Sequence, residues 1–302
     1  MMPKLIGPEA EGRLNWIALT EALESFHALP RAEVADTFLY RGEDTLLTRS
    51  AWIDGLGLAV KPATIFPGNG ARGIAAVNGA VNLFDDATGR LEAIVDFHLV
   101  TKFKTAGDSL LAARHLARKD ARNVLIVGAG KVAASMIEAY RALIPDARFT
   151  IWNRSPEAAA ALADQTGGGV AEDLESATRA AEIIATTTMS KEPLIAGRWI
   201  APGTHLDLIG AYRPDMREVD DDAIRRARLF VDSRQTTLGH IGEVQDPIDR
   251  GVIGPDHIIA DFYDLPRGLY RRDSDEDITI AKNGGGAHLD LMTARYILAA
   301  CE

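Results

Sequence analysis

Six residues, Gly128-Ala129-Gly130-Lys131-Val132-Ala133, fit the spacing G-x-G-x-x-G/A and directly follow the apolar run NVLIV. The spacing alone is weak, because glycine turns are common. Its setting is more specific, with an apolar strand before it and a helix pattern, KVAASMIEAYRALI, after it. In such a turn Gly128 would make the tight bend and Gly130 would let a pyrophosphate reach the backbone. Ala133 would allow close helix–strand packing, with the helix N-terminus, at Lys131 and Val132, facing the phosphates. A glycine turn with no ligand is the alternative; the setting favours a dinucleotide site.

The next apolar run ends in Ile151-Trp152-Asn153-Arg154-Ser155. A site for NAD(H) usually has Asp or Glu here, accepting from the ribose hydroxyls, and such a carboxylate would repel a 2′-phosphate. Asn153 is uncharged, and Arg154 can pair with a phosphate and stack on adenine. Arg154 is otherwise a solvated turn residue. The pattern favours NADP(H), with NAD(H) still open. Thr186, Thr187 and Thr188 end a further apolar strand. Their hydroxyls either contact the cofactor or simply close the strand.

A third feature is the stretch VTKFKTAGDS, Val100 to Ser109, which sets Lys102 and Lys104 among small residues just ahead of the glycine motif. Lysines there are either surface decoration or an anion grip. His98, in VDFHLVT, alternates with apolar neighbours and either lines a pocket or is a hydrogen-bonded structural histidine. Glu243, in GHIGEVQDP, falls on an expected loop. His240 and His288 lack ligand spacing, and neither C-x-x-C nor H-E-x-x-H occurs, so no metal is implied. No G-x-S-x-G motif points to a nucleophile enzyme.

The elements needed to position these residues divide the chain. Before about Thr105, a helix over NWIALTEALESFHAL is followed by short apolar runs ending in LEAIVDFHLVT, separated by the turns RGED, IDGLG, PGNGARG and DDATGR. That spacing predicts an antiparallel or mixed sheet. From Asn123, strands alternate with helices, including a helix capped by Ser155 with Pro156 at its first position, which predicts βαβ units and a parallel sheet. The closing run GGGAHLDLMTARYILAA reads as an apolar helix returning to the first domain. The expected architecture is α/β: a Rossmann-like parallel-sheet nucleotide domain, residues 113–282, inserted in an α+β substrate-binding domain, residues 1–112 plus 283–302.

Composition narrows the class. The 302 residues are 47% hydrophobic and 25% charged, as in ordinary globular proteins. The net charge of -10 argues against a general nucleic-acid or membrane-surface binder. Cys301 is the single cysteine, so no intrachain disulfide forms. No apolar run reaches bilayer length and the N-terminal MMPKLIGPEAEGRL carries no apolar leader, so a cytoplasmic protein is expected.

Taken in order, LAVK, DDATG, TKFKTAGDS, GAGKVA, GTHLDLIGAYRPDMREVD and GGGAHLDL resemble the ornithine cyclodeaminase/mu-crystallin family over nearly the whole chain. The resemblance implies a homodimer with a nucleotide domain and a separate substrate domain. It also implies action on α-amino acids or their cyclic imines. It places the family's carboxylate-binding arginine at Lys104 and its pocket lysine at Lys61. Arg49 is the nearest candidate for a second carboxylate-binding arginine. Asp290 matches a family acid and reads as structural.

One departure bears on the activity. Where cyclodeaminases carry a catalytic aspartate, this chain has Tyr212, and a phenol of pKa ~10 is a poor general base at neutral pH. The resemblance therefore implies an NAD(P)H-dependent reductase of a small cyclic imino acid. Lys61 and Lys104 would act on the substrate, with Arg49 and Tyr212 lining its pocket. Lys61 or water would supply the imine proton. Ornithine cyclodeaminase, alanine dehydrogenase-type activity and a non-catalytic NADPH-binding protein like mu-crystallin are the alternatives.

Overall fold

The computed structural model describes residues 2–302. In chain order it runs β1 (Lys4–Ile6), α1 (Trp16–Phe26), β2 (Glu33–Arg41), β3 (Asp44–Ile53), β4 (Gly57–Ile65), β5 (Val77–Phe84), β6 (Leu91–Asp96) and α2 (Phe97–Leu116). Next come β7 (Asn123–Val127), α3 (Lys131–Leu143), β8 (Arg148–Trp152), α4 (Pro156–Thr166), β9 (Gly169–Val170), α5 (Leu174–Ala180) and β10 (Ile183–Thr186). Last are β11 (His205–Leu208), α6 (Asp221–Arg226), β12 (Arg228–Val231), α7 (Arg234–Thr237), α8 (Gly242–Asp249), β13 (Ile258–Ala260), β14 (Thr279–Lys282) and α9 (Ala287–Ala300). Two compact units result: Met1–Lys104 with Gly286–Glu302, and Thr105–Gly285. The division falls inside α2, where the sequence suggested residue 112.

The first unit is built on a six-stranded sheet of order β1-β6-β5-β4-β3-β2. It is mixed, as expected: β1 runs parallel to β6 and the remaining pairs are antiparallel. Helix α9 packs against β3 and β4 and against α1. In β4, Ala59, Lys61 and Ala63 alternate onto the covered face. The two alanines leave room beside the lysine. Helix α1 is capped by Asn15, whose side chain accepts from the amides of Ile17 and Ala18.

The run LEAIVDFHLVT is not one strand. Strand β6 stops at Asp96 and α2 starts at Phe97. The Asp96 carboxylate accepts the Leu99 amide at 2.7 Å, an N-cap contact that turns the chain into the helix. VTKFKTAGDS is therefore helical, and His98, in its first turn, is exposed.

The second unit carries an eight-stranded sheet of order β13-β12-β14-β11-β10-β7-β8-β9. Every pairing in it is parallel. Its central strands are covered on both faces, so they read as continuous apolar runs, and Leu125, Val127, Ile184, Leu206, Leu208, Leu229 and Ile280 form one core with Ile224 of α6. Helix α4 starts as expected, with Ser155 accepting the Ala158 amide and Pro156 at its first turn. Glu243 is not on a loop: it lies in the first turn of α8 and is fully buried. Among the described residues, no helix is long and apolar enough to cross a membrane.

Candidate functional site

The glycine turn joins β7 to α3 at the C-terminal edge of the parallel sheet, where open α/β sheets bind ligands. Gly128 has φ 120°, a region L side chains rarely adopt, and a Cβ there would strike the Thr187 side chain. The Thr187 amide donates to the Val127 carbonyl at 2.8 Å, and the Gly128 amide donates to the Trp152 carbonyl at 2.8 Å. These bonds draw three strand ends together around a cleft of about 490 Å³. Its walls include Gly128, Ala129 and Gly130 on one side, Asn153, Arg154 and Ser155 on another, and Thr187 through Ser190 on a third.

Most of the residues expected to hold a dinucleotide line this cleft. Thr186 does not: it is fully buried and donates to Glu218 Oε2 at 2.7 Å. Lys131 and Val132 begin α3 without lining the cleft. Arg154 is exposed and makes no ion pair with a described residue. The Ser155 hydroxyl donates to Glu157 at 2.8 Å, so the same corner carries one cation and one anion. The left-handed glycine, the open helix N-terminus and the uncommitted arginine fit a phosphate-bearing nucleotide.

The lysines belong to a second site, built within the first unit. Three adjacent strands place Asp36, Arg49 and Lys61 directly opposite one another, in register, on one face. Two neighbouring cations repel across such a ladder, and acids flank them. Arg49 Nε lies 3.1 and 3.2 Å from the Asp36 oxygens. Lys61 Nζ donates to Asp290 Oδ1 at 2.8 Å and to Thr101 Oγ1 at 2.9 Å. Lys104 Nζ lies 3.0 Å from the same Asp290 oxygen, and Arg49 lies 4.0 Å from the other.

Helix spacing brings α2 into this arrangement. Phe97, Thr101 and Lys104 recur at i, i+4 and i+7, one face of a helix. The Lys61 ammonium sits 4.5 Å from the centre of the Phe97 ring, while Thr101 accepts from it. Asp290 is supplied by the first turn of α9, where the helix dipole favours a carboxylate.

Lys61, Lys104 and Asp290 are all at least nine-tenths buried. Burial would raise the Asp290 pKa, yet Lys104, Lys61 and Arg49 together hold it well below the usual carboxylate range. Burial lowers Lys104 to about 8, with Asp290 opposing and the other two cations assisting. His288, buried and near these cations, is pushed well below its ordinary value and stays neutral. Arg49, Lys61 and Lys104 thus converge on Asp290, and Arg49 also pairs with Asp36.

Of the remaining expected residues, Lys102 pairs with Glu11 at 2.7 Å on the surface, outside the cluster. Tyr212 follows β11 in the second unit and is 60% exposed. Asp290, read from the sequence as structural, is the common acceptor of Lys61 and Lys104. Sequence reasoning passed over Glu218, although the quoted run GAYRPDMREVD contains it, and Lys282, which is fully buried at the end of β14.

The profile of the ornithine cyclodeaminase/mu-crystallin family matches residues 49–301. A Delta(1)-pyrroline-2-carboxylate reductase from Paracoccus denitrificans is 52% identical over 96% of this chain and 94% of its own. Among solved structures, the Thermococcus litoralis Delta(1)-pyrroline-2-carboxylate reductase in complex with NADH and L-proline superposes with a TM-score of 0.88. It is 26% identical and is matched over 99% of this chain and 97% of that one. An archaeal alanine dehydrogenase dimer with bound NAD reaches 0.89 at 26% identity, over 100% and 96% of the two chains.

Proposed function

Because the chain belongs to the ornithine cyclodeaminase/mu-crystallin family, we propose that it reduces a small cyclic imino acid at C2 with a nicotinamide cofactor. The reaction is that of Δ1-pyrroline-2-carboxylate going to L-proline, with the six-membered homologue going to L-pipecolate as a second substrate of the same chemistry. The observation that carries the reading is the convergence of three cations, Arg49 and the buried Lys61 and Lys104, on the single carboxylate of Asp290. Such a group attracts one carboxylate. It also favours hydride addition, because cations at the carboxylate withdraw electron density from the adjacent imine carbon.

Each residue has a task in this scheme. Lys104 and Lys61 hold the substrate carboxylate while Asp290 and Thr101 fix the lysine positions. Lys104, at about 8, is better suited than a solvated lysine to lend the imine nitrogen a proton. Gly128 to Gly130 and Asn153 to Ser155 would hold the dinucleotide, whose nicotinamide supplies the hydride. NADP(H) is the proposed form, supported by the exposed Arg154, which pairs with no acid among the described residues, and by the uncharged Asn153 in place of an acid.

A homodimer completes the reading. The alanine dehydrogenase relative is a dimer. In this chain Leu39, Leu46 and Trp52 are exposed together on the sheet face opposite α9.

The test follows oxidation of NADPH and NADH by absorbance against a panel. The panel contains Δ1-pyrroline-2-carboxylate, Δ1-piperideine-2-carboxylate, pyruvate with ammonia, and, with NAD, ornithine. Turnover of a cyclic imine well above pyruvate with ammonia is expected. Ornithine turnover with ammonia release, and none of the imines, would overturn it.

A further inference from the structure

Glu218 lies between β11 and α6 and is fully buried, so its carboxylate cannot reach a ligand in the dinucleotide cleft. It nevertheless collects five hydrogen bonds. Oε1 accepts from the Thr188 amide at 2.9 Å and the Thr188 hydroxyl at 2.8 Å. Oε2 accepts from the Thr186 hydroxyl at 2.7 Å, the Gly210 amide at 2.8 Å and the Ala211 amide at 3.2 Å. These donors come from the ends of two neighbouring strands, β10 and β11, so one carboxylate fastens both.

The backbone of Glu218 extends the same clamp. Its carbonyl accepts from the Leu194 and Ile195 amides at 2.9 and 3.0 Å, and Leu194 lines the cleft. Its own amide is held by Glu243 Oε2 at 2.6 Å. Space is tight around it: a Cβ on Gly210 would strike the Thr188 backbone and Glu218 Oε1, so only glycine permits the approach. Thr187, between the two clamped threonines, is the residue packed on Gly128.

We propose that Glu218 is a positioning residue for the dinucleotide cleft, holding the wall from Thr187 to Leu194 at its distance from the glycine turn. This rests on the reading of the cleft as a dinucleotide site. Glutamine at 218 keeps the shape but has one acceptor oxygen, so its amide nitrogen faces N–H or O–H donors. The lost bonds are to a charged acceptor, which makes them the stronger kind. Asn153 to Ser155 are not among Glu218's partners, so the adenosine end should be held as before.

The test measures dissociation constants for NADPH and NADH by nicotinamide fluorescence, and for ADP and adenosine 2′,5′-bisphosphate by calorimetry. Glu218→Gln should weaken the better-bound dinucleotide about tenfold or more, with the adenosine fragments changed less than about threefold. Thr186→Val removes one donor from a buried position outside the cleft and should weaken only the dinucleotide; Thr186→Ser should restore it. If Glu218→Gln fails to fold, the threonine pair decides alone. Equal weakening of fragments and dinucleotides, or no weakening of either, would overturn the proposal. A wild-type protein that binds neither dinucleotide would overturn the cleft reading with it.

Discussion

Lys104 and Lys61 share one carboxylate oxygen but differ as groups. Lys61 is held by Thr101 and by the face of Phe97 as well as by Asp290. Burial and two neighbouring cations lower Lys104 to about 8, with Asp290 opposing them. The sign of the pH dependence follows. Below about 8 Lys104 is charged and can hold a carboxylate; above it the charge is lost before ordinary lysines titrate. kcat/KM for the imine should fall above about pH 8, approaching tenfold per unit. The limb in kcat should lie higher, because a bound carboxylate favours the charged lysine. Steady-state rates across pH check this, and Lys104→Arg, charged throughout, should abolish the limb while lowering kcat, because a guanidinium does not readily lend a proton. Arg154 makes a separate prediction. Arg154→Ala should weaken NADPH by about tenfold or more and leave NADH within about twofold, since only the former has a 2′-phosphate to lose. Fluorescence titration of both cofactors measures it.

At the scale of elements, the lysine cluster depends on what α9 brings to the sheet. Asp290 neutralises cations that β3, β4 and α2 would otherwise leave facing one another. Asp290→Asn removes that charge without removing volume. The expected loss is about 3–5 kcal/mol, as when one partner of a buried pair is deleted, read by denaturant unfolding. Added acetate should recover part of it, because an anion then binds the folded state alone. Much of this arrangement was legible in the sequence. The glycine motif, the Ser155 cap and the family pattern at Lys61 and Lys104 are local signals. The start of α2 was not read, because FHLV continues the apolar run of β6 without a break; the Asp96 cap was the available clue. Pro247 made the segment around Glu243 look like a loop, yet tertiary packing completes a short helix through it. Glu218 was invisible for a different reason: its donors come from two strands whose juxtaposition only the folded sheet creates.

The whole molecule has surface that a monomer would not be expected to leave open. Strand β2 is the edge of its sheet, nine residues long, with no partner beyond β3 among the described residues. Unprotected edges of this length invite pairing. On the sheet face away from α9, Leu39 is 69% exposed, Trp52 49% and Leu46 36%. Cross-strand register puts Leu39 opposite Leu46, and Trp52 three side-chain positions further along β3 on that face, beyond Thr48 and Ser50. A patch on one face can close a dimer through a two-fold axis, each copy presenting the same residues. The protein should therefore sediment at twice its 32.6 kDa chain mass. Leu39→Glu with Trp52→Glu places like charges against each other across that axis. It leaves the buried face of the sheet untouched, so the chain should fold and sediment as a monomer. Its melting temperature should become independent of protein concentration, where that of the wild type rises with it. Analytical ultracentrifugation and melting at several concentrations decide the matter; a double variant that remains dimeric would place the interface elsewhere.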